Sequence, residues 1–253
     1  MIEVSSEESG ESIAGKLLEN QMSSDSYVKY QNGTRYIADW REIKQAKGDG
    51  SKPWKDNGVY LISGGAGGLG HIFAKEIAEQ TKNATVILAA RSPLSESKSK
   101  KLKELHSKGA DITYRQTDVT NKIEVYQLID DIQKRYGSRL NGILHSAGII
   151  KDSYLVNKQA KDLHDVLAPK VKGLVYLDEA SKDLPLDFFI LFSSLSGSLG
   201  SIGQSDYAAA NVFMDMYAGY RNRLADLSQR HGQTLSVNCT FMERWRHAGR
   251  SRN

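Results

Sequence analysis

The sequence predicts an α/β fold in which helices cover both faces of a doubly wound parallel sheet. Short apolar segments alternate with helical segments from Gly58 onward, and a glycine-rich turn follows the first of them. With 253 residues, the chain is long enough to bury a full core. Strands that are apolar on both sides are typical of parallel sheets with both faces covered. Right-handed crossovers then give a Rossmann-type domain, which we predict over residues 58–238.

Three segments precede this domain. Residues 1–25 are acidic and rich in serine, with few large apolar groups, so we expect a flexible segment. Residues 26–40 alternate in polarity around an Asn-Gly pair, which is the strongest short hairpin signal, and we predict a hairpin region over 26–47. Residues 48–57 are expected to form a linker.

Six segments of the predicted domain have the composition of buried strands. Periodic helical segments lie between them, for example over residues 124–137 and 211–227. The strand candidates are residues 59–63, 84–90, 111–117, 140–146, 186–194 and 234–238.

The composition argues against several other classes of protein. The net charge of +4 is spread among acidic residues, so we expect no nucleic-acid partner. A single cysteine, Cys239, excludes an internal disulfide and favours a reducing compartment. The N-terminus has no secretory pattern, and no apolar run approaches the roughly 18 residues that span a bilayer. We therefore expect a cytoplasmic protein with no membrane association and no metal.

The turn after the first strand candidate indicates a dinucleotide site. Glycine permits positive φ angles and lets the backbone approach a pyrophosphate, and the following helix directs unpaired N–H groups at that anion. A tight structural turn without a ligand is the alternative. The candidate cofactor-binding residues of this turn are Gly64, Gly65, Gly67, Gly68, Leu69 and Gly70.

Residues at the ends of the second, third and fourth strand candidates indicate which dinucleotide binds and how it would lie. Arg91 stands where an NAD site usually has a carboxylate, and a guanidinium can pair with a 2′-phosphate, so NADPH is favoured. A solvated arginine is the alternative. Asp118 could accept from the adenine amino group or cap the next helix. Ala147 and Gly148 are small enough for a cofactor to cross the sheet edge, whereas His145 is expected to be a packed residue.

Several motifs together resemble the short-chain dehydrogenase/reductase superfamily, and more narrowly the ketoreductase domains of modular, trans-acyltransferase type I polyketide synthases. Ser194 lies 13 residues before Tyr207, as in that superfamily. Asn211 follows Tyr207 by four residues where the superfamily usually has lysine, and the lysine lies upstream at Lys170. That exchange is typical of polyketide and animal fatty-acid synthase ketoreductases. The motifs are "SGGAGGLG", "HSAG", "LAPKVKG" and "FSSLSGSLGSIGQSDYAAAN".

The resemblance implies roles for four catalytic residues. Tyr207 would donate the proton, and Ser194 would polarise the substrate carbonyl. Lys170 would lower the pKa of the phenol and hold the nicotinamide ribose, while Asn211 would support a water relay. An aromatic residue packed in the core is the alternative for Tyr207. The resemblance also implies that Val119 contacts the cofactor.

The substrate implied by the resemblance is a β-ketoacyl thioester on the phosphopantetheine arm of an acyl carrier protein, within a synthase of several domains. Asp152 matches the last aspartate of the Leu-Asp-Asp motif of B-type ketoreductases, and Leu199 stands where A-type enzymes have tryptophan. We therefore predict a D-configured 3-hydroxyl product.

The sequence departs from the family pattern at both ends. The hairpin resembles the last strands of a structural subdomain that is otherwise missing. Residues 239–253 do not resemble the family's continuation, and the domain reads as truncated at its C-terminus. A shift of one base near Cys239 would restore a family-like sequence, so we expect a frameshift, with a divergent tail as the alternative. Without the family's lid, the chain could be an inactive remnant that binds cofactor or packs in a synthase. A free-standing alcohol dehydrogenase is disfavoured by the Lys/Asn exchange.

Overall fold

A computed structural model of the chain describes residues 2–25, 27–39, 41–42, 52–106 and 109–239. It divides into two compact units, residues 1–51 and 52–253. Within the described ranges, no helix has the length and apolarity needed to cross a membrane.

The smaller unit is a three-stranded sheet with one helix. Strands β1 (Ile2–Glu3) and β2 (Val28–Gln31) are parallel, and β2 is antiparallel to β3 (Thr34–Ile37). The two-residue turn between β2 and β3 is the Asn-Gly pair, in which both residues have positive φ angles of 52° and 73°. This is the backbone twist that tight hairpins need.

A helix occurs in the segment where the sequence led us to expect no regular structure. Helix α1 (Gly10–Asn20) begins after Ser9, whose side chain accepts a hydrogen bond from Ser12 N. Its last residues are held by polar contacts: Asn20 Nδ2 donates to Tyr30 Oη at 2.7 Å, and Arg35 donates to Asn20 Oδ1. The segment has few large apolar side chains, and hydrogen bonds to the hairpin stabilise the helix instead.

The larger unit has the predicted doubly wound sheet. Its six strands are all parallel and lie in the order β6-β5-β4-β7-β8-β9. The first strand along the chain therefore lies in the middle of the sheet, beside the fourth, which is the Rossmann arrangement. The strands are β4 (Val59–Ser63), β5 (Thr85–Ala90), β6 (Asp111–Gln116), β7 (Leu140–His145), β8 (Phe188–Ser194) and β9 (Gln233–Cys239).

Helices cover both faces of this sheet. Val59 and Leu61 of β4 belong to one apolar core cluster, and Tyr60 and Ile62 to another, so alternate residues of a single strand are buried on opposite sides. A 3₁₀ turn at Leu155–Asn157 precedes α5. The helices are α2 (Gly68–Gln80), α3 (Glu96–His106), α4 (Lys122–Tyr136), α5 (Ala160–Lys170), α6 (Lys172–Ala180), α7 (Leu195–Leu199) and α8 (Ser205–Asp226).

The described part of the predicted linker packs on the larger unit. Trp54 is only 7% exposed and makes edge-to-face contacts with Tyr60 and Phe188. An indole buries a large apolar area, which fixes this segment to the core. Residues 43–51 of the predicted hairpin region and linker, and 240–253 of the predicted atypical tail, lie outside the described residues, so the frameshift stays a prediction.

A buried group of charges joins α6, α8 and the start of β9. Arg221 Nε donates to Asp178 Oδ1 at 2.7 Å, and neither side chain is exposed. Arg230 donates to both oxygens of Asp178 at 3.1 Å and also to Glu179. Each buried charge is therefore paired, as its desolvation requires.

Candidate active site

The predicted glycine turn, Ala147 and Gly148, and Ser194 lie at the carboxyl ends of β4, β7 and β8, whereas Arg91 and Asp118 follow β5 and β6. Ser63 at the end of β4 is in register with His145 at the end of β7, and His145 is paired with Leu191 of β8. The chain order of the strands reverses between β4 and β7. Ligands of open α/β sheets bind in the crevice at such a point.

The glycine turn has a shape that side chains would destroy. Gly64 has a φ of 70°, and a Cβ there would lie 2.6 Å from Ala147 N. A Cβ on Gly70 would lie 2.5 Å from the Cα of Gly65, so the first turn of α2 packs directly on the loop. Gly67 caps α2 without any side-chain hydrogen bond from the described residues. The first N–H groups of α2 are thus available to an anion.

The remaining turn residues complete this backbone surface. A Cβ on Gly65 would lie 2.8 Å from the carbonyl oxygen of Ile62, and Gly68 is the first residue of α2. Leu69 is partly buried against the second core cluster. A dinucleotide phosphate bound at this turn would therefore contact backbone groups rather than side chains.

Arg91, the residue on which the choice of NADPH depends, immediately follows β5 and is exposed. Among the residues that the structure describes, no group hydrogen-bonds or ion-pairs with its guanidinium. That guanidinium is thus available to an anionic ligand.

Asp118 and Val119 are placed differently from each other. Asp118 does not cap α4, so that alternative is wrong: Asn121 is the N-cap and accepts from Ile123 N. Oδ1 of Asp118 instead accepts from the amide and hydroxyl of Thr120, at 2.9 and 2.8 Å. Val119 is 6% exposed and its side chain belongs to the core, so only its backbone is left to meet a cofactor.

Lys170 is buried beside Tyr207. It is 4% exposed, its Nζ donates to the carbonyl oxygen of Phe192 at 2.9 Å, and Nζ lies 5.4 Å from the centroid of the Tyr207 ring. Burial lowers the pKa of Lys170 to about 8. A Cβ on Gly148 would lie 3.0 Å from Cε of Lys170, so the small residue after β7 leaves room for this side chain.

His145 connects the elements that hold Lys170. Its Nδ1 lies 2.6 Å from Ser63 Oγ, and its Nε2 lies 3.0 Å from the carbonyl oxygen of Pro169. Complete burial lowers the pKa of His145 to about 3, so the ring is neutral near pH 7. It is a packed, hydrogen-bonded residue, as the sequence indicated.

Ser194 and Asn211 flank Tyr207. Ser194 ends β8 and caps α7, where its Oγ accepts from Ser196 N at 3.2 Å. Asn211 lies one helical turn after Tyr207, and its Nδ2 donates to the Tyr207 carbonyl oxygen at 2.7 Å. Asn211 is fully buried, and its Oδ1 has no hydrogen-bond partner among the described residues. A buried unpaired oxygen calls for a partner, such as a water or a ligand group.

The pKa of Tyr207 differs from the sequence-based expectation. Burial raises it, and the nearby side chains of Asn211 and Ser194 lower it by less than burial raises it. The expectation of a pKa lowered by Lys170 is therefore wrong for this arrangement, because desolvation of the phenol outweighs the effect of its neighbours. The phenol is held protonated, which is the form that can donate a proton.

Asp152 lies in the loop between β7 and α5. Its side chain is exposed, and Oδ1 accepts a hydrogen bond from Gln204 Nε2 at 2.9 Å. Gln204 directly precedes α8, which carries Tyr207 near its start. The loop and the start of α8 thus meet through this pair.

Gln204 and a buried ion pair between Lys158 and Asp206 also belong to this region, and neither was predicted from the sequence. The only sequence signal was an aspartate directly before Tyr207. Chemically, the assembled site offers a protonated phenol, a hydroxyl and an ammonium beside an anion-binding turn. That set can bind a nucleotide and deliver a proton to a substrate oxygen.

Comparison with known proteins identifies the family of this chain. The model of the KR domain family, described as "KR domain", matches residues 58–243. Polyketide synthase PksN of Bacillus subtilis strain 168 is 96% identical over 249 residues, which are 98% of this chain and 4% of the relative's length. Polyketide synthase PksL of the same strain is 53% identical over 213 residues, 84% of this chain and 5% of that relative. The chain therefore spans only a small part of these curated relatives.

Solved structures agree with the fold. A ketoreductase domain from the bacillaene assembly line has a TM-score of 0.89 at 46% identity, covering 96% of this chain and 57% of that one. An N-terminal ketoreductase from the macrolactin assembly line has a TM-score of 0.73 at 40% identity, and the match covers 89% of this chain and 45% of that one.

Proposed function

The chain belongs to the ketoreductase domain family of the short-chain dehydrogenase/reductase superfamily, and we propose that it reduces a β-ketoacyl thioester to the 3-hydroxyacyl thioester with NADPH. One observation carries this proposal: at the sheet edge that bears the glycine turn, Lys170 Nζ lies 5.4 Å from the centroid of the Tyr207 ring, and the side chain of Ser194 acts to lower the pKa of that phenol.

The residues of the site suit a nicotinamide dinucleotide. The glycine turn leaves a cradle that a single Cβ would fill, and the buried Asn211 Oδ1 has no hydrogen-bond partner in the described part of the chain. Gly64 to Gly70 would hold the pyrophosphate through backbone N–H groups, with Asp118, Val119, Ala147 and Gly148 along the rest of the cofactor. Arg91 favours NADPH over NADH because an unpaired guanidinium can bind a 2′-phosphate. When bound, the cofactor supplies the hydride to the β-carbon.

Four residues would handle the proton. Tyr207 gives the proton of its phenol to the substrate oxygen as negative charge develops there. Ser194 donates a hydrogen bond to the same oxygen and stabilises that charge. Lys170 supplies the positive charge that favours the phenolate left on Tyr207, and Asn211 holds a water that returns the proton.

The substrate and the partners are proposed from the relatives. The relatives that match are named as polyketide synthases, and the bacillaene structure is a domain of an assembly line. We therefore assign an acyl carrier protein as the source of the β-ketoacyl chain and other synthase domains as neighbours. Asp152 and Leu199 favour the B-type, D-configured product.

The test is NADPH consumption with a β-ketoacyl N-acetylcysteamine thioester. We expect NADPH loss matched by 3-hydroxyacyl thioester, detected by mass spectrometry. Tyr207→Phe should abolish turnover but leave NADPH binding, measured by fluorescence titration, unchanged. Binding without turnover in the unmodified chain would instead support the inactive-remnant alternative, and a lack of binding would contradict the proposal altogether.

A further inference from the structure

Lys158 is buried in a loop whose neighbouring residues are exposed. Tyr154, Leu155 and Val156 are 66%, 72% and 91% exposed, yet the side chain of Lys158 is only 3% exposed. This loop, residues 149–159, belongs to the segment that connects β7 to α5, and it carries Asp152. A lysine rarely becomes this buried without a partner.

The partner of Lys158 is Asp206, the residue before Tyr207. Lys158 Nζ donates to Asp206 Oδ2 and to the carbonyl oxygen of Lys151, both at 2.7 Å. The side chain of Asp206 is 1% exposed. Its other oxygen, Oδ1, accepts from Tyr207 N at 2.9 Å. One carboxylate thus joins the loop to the backbone of the catalytic tyrosine.

Two more hydrogen bonds join the same two segments. Ser153 N donates to the carbonyl oxygen of Gly203 at 3.0 Å, and Gln204 Nε2 donates to Asp152 Oδ1 at 2.9 Å. The contact between Gln204 and Asp152 is exposed, whereas both side chains of the ion pair are buried. The ion pair lies between the group that would bear on product configuration and the proton donor.

The buried pair calls for an explanation other than stability. Removing two charges from water is costly, and well-packed apolar residues are often as stabilising as a buried ion pair. An ion pair with directed hydrogen bonds does, however, specify one geometry. The three hydrogen bonds of this pair, two from Lys158 Nζ and one from Tyr207 N, define where the loop lies relative to α8.

We propose that Lys158 and Asp206 are positioning residues: they fix the loop that carries Asp152 against Tyr207, and thereby set which face of the β-keto group receives the hydride. This inference rests on the proposed function. Neither residue touches the reacting atoms; both act through Asp152 and Tyr207.

The first experiment measures product configuration in Lys158→Met. We expect kcat to fall by about tenfold to a hundredfold, since small misplacements of reacting groups have effects of that order. The apparent KM should change little, and the L-configured fraction of the 3-hydroxy product should rise in chiral chromatography. Asp206→Asn, which keeps an acceptor for Tyr207 N, should shift the product in the same direction. The double variant should be no worse than Lys158→Met, because both changes break the same contact.

The matched control is Arg230→Met, which breaks a different buried charge pair. Arg230 contacts Asp178 and Glu179 and does not contact the loop. This variant should lose thermal stability yet keep the product ratio of the unmodified chain. A product ratio and a kcat per folded molecule that are unchanged in Lys158→Met would overturn the proposal.

Hydrogen exchange tests the connection without using activity. The amide of Ser153 should exchange slowly in the unmodified chain and at least tenfold faster in Lys158→Met. If the unmodified chain has no reductase activity, the proposed function fails, while this exchange rate still decides whether the pair fixes the loop. Lys158→Gln keeps a donor and serves if Lys158→Met does not fold. If neither folds, the pair serves stability and the proposal is wrong.

Discussion

The glycine turn and the proposed proton-donating cluster lie at the same sheet edge but depend on different physical properties. The turn is one contiguous segment, Gly64 to Gly70, and its close backbone packing is possible because its glycines have no side chains. The cluster gathers Lys170, Ser194 and Tyr207 from three separate elements and works through the chemistry of their side chains. A substitution that adds a side chain to the turn should therefore impair cofactor binding. A substitution that keeps the shape of a cluster side chain but removes its polar group should impair turnover.

The largest effect should come from removing one oxygen atom in the cluster. Tyr207→Phe keeps the ring and its packing but leaves no proton donor. We expect kcat to fall by about 10²- to 10⁴-fold, the usual contribution of general acid catalysis. The Kd for NADPH should stay within about twofold of the original value, measured by fluorescence titration. A similar loss of binding would mean that the two regions are not separable in this way.

The next largest effect should come from a methyl group in the turn. A Cβ on Gly64 would collide with the backbone at Ser146 and Ala147, so Gly64→Ala should weaken NADPH binding by more than about tenfold. Gly137→Ala is the matched control, because Gly137 also has a positive φ, of 64°, but a Cβ there meets nothing within 4 Å. Both variants place alanine at a positive φ angle, so a difference between them reports the collision of the Gly64→Ala Cβ with the neighbouring backbone. Equal binding losses in both variants would contradict a steric role for the turn.

The buried lysine predicts a dependence on pH. The folded pKa of Lys170, about 8, lies below the usual value near 10.4, so the unfolded chain binds more protons between these values. The penalty for burying the charge is fully present below about pH 8, and the free energy of unfolding should rise with pH across this window. The gain relative to Lys170→Met should be on the order of 3 kcal/mol, measured by urea unfolding at several pH values.

Activity should change in the opposite direction over the same range. Neutral Lys170 no longer stabilises a phenolate on Tyr207, so kcat should decline as pH rises through about 8. Lys170→Met should have a lower kcat that lacks this decline. If kcat of Lys170→Met still declined with pH, the decline would have to come from the titration of another group.

The smallest effect should come from Arg91. It is exposed, so the attraction of its guanidinium for a 2′-phosphate is screened by water. Arg91→Ala should raise the Kd for NADPH by about tenfold or less and leave the Kd for NADH unchanged. Equal changes for both cofactors would remove the reason to assign NADPH.

The sequence predicted the sheet well because strand burial depends on local composition. All six strand candidates occur, and the strand of residues 59–63 has the predicted bounds. The sequence-based prediction was wrong or incomplete where polar contacts between distant segments determine the structure. Helix α1 depends on hydrogen bonds of Asn20 with Tyr30 and Arg35, and the Lys158–Asp206 pair joins residues 48 positions apart. The pKa of Tyr207 could not be predicted either, because burial outweighs its neighbours.

The central claim is that this site transfers a hydride from NADPH to the β-carbon of a ketoacyl thioester. The most direct measurement uses NADPH that carries deuterium on C4, with a β-ketoacyl thioester and the unmodified chain, followed by mass spectrometry and chiral chromatography. We predict one deuterium on C3 of a D-configured 3-hydroxyacyl thioester. A C3 position without deuterium, or no hydroxyacyl product at all, would contradict the account.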